Sequence, residues 1–198
     1  MTRSHAQLRF ILASGSPRRA ELLAEHGYSV SIIPPPVDEP ADLNPSLLPA
    51  QLAHALSYFK ARSVRELVGD GLILAGDTIA SFRGRIFGKP RDRDDARAIL
   101  GSLSGTTHEV ITAITLLDAA DGRRLIQHDT TEVVMRRLSP DEIEAYLDTG
   151  EWQGKAGAYG IQDYGDAFVE RIEGSFTNVV GLPVELVERM LKQWNCRE

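Results

Sequence analysis

Apolar positions along this chain follow two rhythms, a period near two and a period near 3.6, and the two take turns. Leu8 to Ala13 reads as a buried strand. Ser16 is a good N-cap residue and Pro17 suits a first helical position, so a helix should run from there to about His26 and stop at Gly27. Tyr28 to Ile33 alternates like a strand, whereas 34–45 is a proline-rich loop whose prolines remove ladder donors. Leu47 to Leu67 has the helical period, with Leu48, Leu52, Ala55, Leu56 and Phe59 along one face. Leu72 to Ala75 is a short, wholly apolar strand, and the stretch after it predicts a hairpin turning at Arg83-Gly84.

A helix is expected over Asp94 to Leu103. His108 to Leu117 and Leu125 to Met135 both alternate around a turn at Asp121-Gly122, which predicts a long antiparallel hairpin. Ser139-Pro-Asp-Glu142 is a capping box whose helix ends at Gly150. Lys155 to Gly181 is glycine-rich with one strand, Ala167 to Ile172, and Pro183 to Trp194 forms a last amphipathic helix. Strands joined by helices, plus a long hairpin, predict an α/β (mixed α+β) fold, a twisted mixed sheet flanked by helices. No shift in composition divides the chain, so residues 1–198 read as a single domain, with room for two lobes around a central cleft.

Composition narrows the function. The apolar fraction of 42% and charged fraction of 25% are those of an ordinary globular protein. No apolar run approaches the length of a membrane span, and the N-terminal run is too short for a signal peptide, so a cytoplasmic location is expected. The single cysteine, Cys196, allows no internal disulfide. A formal net charge of −6 disfavours bulk binding to nucleic acid or to anionic membranes. Any anionic ligand must be held by a local cluster of cations.

Four stretches are candidates for chemistry. In Ser14-Gly15-Ser16-Pro17-Arg18-Arg19 a strand runs into a helix N-terminus beside two guanidinium groups, which suits a phosphate; an ordinary capped helix with solvated arginines is the other reading. Asp77, in Ala75-Gly76-Asp77-Thr78, follows an apolar strand and could bind a metal or direct a water, or simply close an Asx-turn. Gly84 to Pro90 superficially suggests a P-loop, but only three residues separate the glycines and Pro follows Lys89; Lys89 remains a candidate phosphate ligand. Lys155 to Gln162 reads as backbone pressed against a ligand with an amide free for a base edge, or as a flexible loop. Lys60 could be a phosphate ligand or a surface lysine, and Asp38-Glu39 could ligate a metal or be solvated. The five histidines lack metal-ligand spacing, and His108 reads as structural.

Taken together, these stretches resemble the Maf family (septum-formation-like proteins), nucleoside triphosphate pyrophosphatases. The resemblance rests on LASGSPRRAELL (12–23), VDE (37–39), KA (60–61), AGDT (75–78), GKPRD (88–92), LSGTTHEVITA (103–113), GKAGAYGIQ (154–162) and IEGSFTNVVGLP (172–183), in the family's order. It implies a Maf/ITPase-like fold and hydrolysis of a nucleoside triphosphate to the monophosphate and pyrophosphate, with Mg²⁺ or Mn²⁺. It implies Asp77 as the catalytic and metal-binding carboxylate and Glu39 as a second metal ligand. Ser14, Arg18, Arg19, Lys60 and Lys89 would bind phosphates, while Thr78 and Gln162 would help to set base preference. Asp77-Thr78 and Ile161-Gln162 resemble the branch that hydrolyses dTTP and UTP. Two departures stand out: Asp163 where the family usually has glycine, and Ser57 where alanine is common. The family generally forms homodimers, and the long hairpin offers edges to pair. Because members are linked to arrest of cell division, the alternative implied is a nucleotide-binding regulator of septum formation with incidental hydrolysis.

Overall fold

The computed structural model describes residues 10–37, 46–162 and 164–196. Among these, seven strands form one mixed sheet in the order β2 (Ser31–Ile32), β1 (Phe10–Ala13), β3 (Leu72–Phe82), β5 (Thr107–Asp118), β6 (Arg124–Met135) and β7 (Val169–Glu173), with β4 (Arg85–Phe87) joined to the far end of β3. The strand β1 runs parallel to β2 and β3, and every other pairing is antiparallel. Six helices pack around the sheet: α1 (Pro17–Glu25), α2 (Pro49–Arg65), α3 (Arg93–Leu103), α4 (Pro140–Thr149), α5 (Phe176–Val180) and α6 (Val184–Asn195). The expected mixed sheet flanked by helices is what forms. No helix of the described residues is long and apolar enough to cross a membrane.

Alternation along the central strands divides the core into two layers. Ile73 and Ala75 of β3, with Ile11 and Ala13 of β1, pack against Ala61 and Val64 of α2. Leu72 and Leu74, with Leu12, Ile114 and Leu116, pack on the opposite face against Leu22 and Leu23 of α1 and Val187, Met190 and Trp194 of α6. Strands covered on both faces need apolar residues at every position, which is why β1 reads as a continuous run rather than an alternation. A separate cluster at the far end joins Phe87, Val110, Val133 and Met135 to α3 and α4.

Three expectations change. The predicted strand over Tyr28 to Ile33 shrinks to Ser31–Ile32, both exposed, because among the described residues this outermost strand pairs only with β1. The buried face of α2 omits Leu48, which is exposed, and Ala55; it includes Ser57 and Lys60 instead, since each finds a polar partner in the sheet. Most consequential is β3, which does not stop at Ala75 but continues through Asp77 to Phe82. Continuous pairing with β5, from Leu72↔Asp118 to Ser81↔Glu109, overrides the turn preference of Gly76 and Asp77. The predicted turn falls in place: Arg83 and Gly84 have φ of 52° and 77° and connect β3 to β4, the left-handed pair a two-residue hairpin loop requires.

The other edge of β3 sets up the site. There β1 pairs up to Ala13↔Ala75, and β4 pairs from Ala80↔Phe87 onward. Between them, residues 76–79 have no strand neighbour on that edge among the described residues. The chain leaving β1 turns away there into α1.

Leu74 is fully buried in the strand that spans this gap. Leu74→Ala is expected to cost about 2–5 kcal/mol in urea unfolding, the range for a core leucine truncated to alanine.

Candidate active site

Asp77 and Thr78 sit in the unpaired stretch of β3, and consecutive strand residues face opposite ways. Asp77 points toward α2 and Thr78 toward α1 and α5, so the site wraps around a bare strand edge.

On the α2 side, Lys60 donates to Asp77 Oδ1 in a buried ion pair, with Lys60 8% and Asp77 4% exposed. The helix is fixed one turn earlier by Ser57, whose hydroxyl pairs with Thr115 Oγ1 at 2.9 Å. Ser57 thus ties α2 to β5. Charges this buried persist only when paired, and losing one partner is far costlier than losing both.

On the α1 side, Arg19 is held from three directions. Its Nε donates to the Gly181 carbonyl at 2.8 Å, Nη1 to Ser14 Oγ at 3.3 Å and Nη2 to Thr78 Oγ1 at 3.1 Å. A Cβ on Gly76 would lie 3.3 Å from Arg19 Nε and 3.3 Å from Ile114 Cδ1, so glycine there makes room for the guanidinium. Ser16 occupies the N-cap of α1 as expected, yet its side chain makes no cap bond; its backbone N–H donates to Ser14 Oγ at 3.1 Å. The two arginines are therefore unlike: Arg19 is part of the framework, whereas Arg18 is half-buried along the cleft.

A cleft of about 840 Å³ runs between these features. Ser14, Arg18, Arg19, Lys60, Asp77, Thr78, Lys89 and Gln162 all line it. Glu39 lies outside the described residues, as do Asp38 and Asp163. Among the described residues five cationic side chains line the cleft, the fifth being Lys155, against the carboxylates of Asp77 and Glu21. A chain of net charge −6 thus concentrates positive charge in one concavity, as an anionic ligand requires. Among the described residues no three His, Cys, Asp or Glu side chains cluster to hold a metal by themselves.

Sequence reasoning passed over Lys155, although it heads the Lys155 to Gln162 block, where a cation beside small residues was the available signal. It also passed over Tyr159, which lines the cleft and bonds His108 Nε2 through its hydroxyl at 2.7 Å. Ala158 just before it has φ 62°, an uncommon left-handed conformation for alanine, in the turn that sets Tyr159 against the cleft. Burial drives the His108 pKa down to about 4 and raises that of Tyr159. His108 is a neutral strut, the role expected for it. Thr112 and Asn178, both fully buried behind Thr78, were not singled out either.

The family model described as Maf-like protein matches residues 9–194. Proteins named dTTP/UTP pyrophosphatase are similar over most of their length. That of Bdellovibrio bacteriovorus is 44% identical over 189 residues, covering 93% of this chain and 97% of its own. That of Syntrophomonas wolfei is 45% identical over 180 residues (91% and 94%), and that of Alkaliphilus metalliredigens 47% over 177 residues (89% and 91%). The structure of a HAM1 protein from Coxiella burnetii is 20% identical with a TM-score of 0.48, over 67% of this chain and 75% of that one, a likeness too slight to bear on function.

The His108 strut makes stability depend on pH. Below about pH 6.5 the unfolded chain protonates this histidine, while the folded protein resists until about pH 4. Stability should therefore fall as pH drops through that window, by up to about 3 kcal/mol from this group. Urea unfolding at pH 7 and pH 4.5 should show a smaller difference for His108→Gln than for the native protein.

Proposed function

The chain belongs to the Maf family, and from that premise we propose that it is a dTTP/UTP pyrophosphatase. It hydrolyses the α–β phosphoanhydride bond to release the nucleoside monophosphate and pyrophosphate. The observation that carries this reading is the cleft itself: the buried carboxylate of Asp77 and the side chains of Arg18, Arg19, Lys60 and Lys89 line one concavity whose volume would admit a nucleotide.

In this mechanism Arg18, Arg19, Lys60 and Lys89 offset the roughly four negative charges of the triphosphate and align it; phosphoryl transfer depends chiefly on such positioning and charge stabilisation. Asp77 orients the attacking water and accepts its proton at a carboxylate oxygen, while Lys60 fixes the position of that carboxylate by donating to Oδ1. Thr78 and Gln162 meet the nucleoside end. The donor set suits Mg²⁺ or Mn²⁺: a carboxylate opening onto a phosphate site is how a hard cation that takes only one or two protein ligands is bound. Asp77 and Glu39 would hold it, and when bound it would neutralise phosphate charge and acidify water. A homodimer in the cytoplasm completes the reading, supported by β6, whose residues 124–131 lack a strand partner on the side away from β5 among the described residues.

Asp77→Asn should lower UTP turnover by about a thousandfold or more while calorimetry still detects nucleotide binding; undiminished hydrolysis would overturn the assignment. If that variant binds nucleotide, cannot cleave it and still arrests cell division, the regulator reading prevails. Chelation with EDTA should abolish turnover by the native protein, and added Mg²⁺ or Mn²⁺ should restore it.

A further inference from the structure

We infer that Thr112 and Asn178 fix the direction of the Thr78 hydroxyl, so that Thr78 meets the nucleotide only as a hydrogen-bond acceptor. This rests on the hydrolase reading and names the chemistry that its nucleoside end selects.

The argument is an accounting of protons. The Thr112 hydroxyl lies 3.0 Å from the backbone carbonyl of Asn178, which can only accept and which also takes the Gly181 N–H at 3.1 Å on its other lone pair, so the single Thr112 proton goes there. Thr78 Oγ1 lies 2.9 Å from Thr112 Oγ1. With the Thr112 proton committed, Thr78 must be the donor in that pair. Arg19 Nη2 then donates to Thr78 Oγ1 at 3.1 Å and occupies one of its lone pairs. What Thr78 has left for the cleft it lines is an acceptor site and no proton.

The chain of bonds is anchored. Asn178 spends both amide protons, on the Val110 carbonyl at 2.9 Å and on Thr131 Oγ1 at 2.9 Å, and so pins α5 to β5 and β6. Thr112 and Asn178 are both fully buried, where water cannot substitute for either bond. Both are positioning residues acting through Thr78.

An acceptor selects a ligand that donates. The imide N–H of uracil or thymine is such a group, and cytosine carries an acceptor at the same ring position. The 3′-hydroxyl, the sugar donor that dTTP and UTP share, is the other candidate; cytosine's amino donor lies one ring position away from the imide site.

Thr112→Val removes the acceptor for the Thr78 proton with little change in shape, leaving that proton free to turn into the cleft. Thr112→Ser keeps the polarity. The test measures kcat/KM for UTP, CTP and 3′-deoxy-UTP with Mg²⁺ in the native protein and both variants. If the base supplies the donor, Thr112→Val should shift the UTP:CTP preference toward CTP by about tenfold, the worth of one hydrogen bond. If the sugar supplies it, the preference for UTP over 3′-deoxy-UTP should collapse instead. Thr112→Ser should keep the native ratios in either case. Ratios unchanged in Thr112→Val, or altered equally in Thr112→Ser, would overturn the inference. Dissociation constants for the same nucleotides, with each Thr112 substitution placed in Asp77→Asn, follow polarity without hydrolysis. A native protein that cleaves none of the three refutes the hydrolase reading, while those affinity ratios still decide the polarity of Thr78.

Discussion

The pairing of Lys60 with Asp77 is the constraint around which the rest is arranged. Two charges, each less than a tenth exposed, sit between a helix and a central strand. Desolvating such a pair is expensive, and a hydrophobic pair of similar volume would commonly be no worse for stability. The arrangement makes sense if a carboxylate is needed in a fixed place at the wall of a cleft. Holding it there requires α2 to dock closely, which Ala53, Ala61 and Val64, all fully buried, and the Ser57–Thr115 bond achieve.

The bare edge of β3 turns that pair into a site. In open sheets, ligands bind beyond the carboxyl ends of parallel strands. Here β1 ends at Ala13 while β3 continues, so Asp77 and Thr78 stand just past the place where their parallel neighbour departs. Because adjacent strand residues face opposite layers, one dipeptide supplies a carboxylate to the α2 side and a hydroxyl to the α1 side. Arg19, locked between Ser14, Thr78 and Gly181, closes the second side. The antiparallel pairing with β5 on the other edge gives this one-sided segment a rigid backing.

Much of this was legible from local signals. The Arg83-Gly84 turn, the Ser139–Glu142 capping box and the left-handed Gly150 follow from residue chemistry within a few positions, and each is found. The gathering of eight predicted residues along one cleft was legible only through the family resemblance, since no local rule brings Lys60 to Asp77 or Arg19 to Thr78. What escaped was decided by distant contacts. Gly76-Asp77 looks like a turn until β5 pairs with it, and Lys60 breaks the apolar stripe of α2 until the carboxylate opposite is known. The bond from Thr78 to Thr112 spans 34 residues and the one from Thr112 to Asn178 spans 66, so nothing in a short window announces that relay.

The measurement that bears most directly on the ion pair is a double-mutant cycle in urea unfolding, with the native protein, Lys60→Met, Asp77→Asn and the double variant. Leaving one buried charge unpaired should make Lys60→Met alone cost about 3–5 kcal/mol, and removing the charge of the carboxylate as well should recover most of that loss. Costs that simply add would contradict the claim that the two side chains depend on each other.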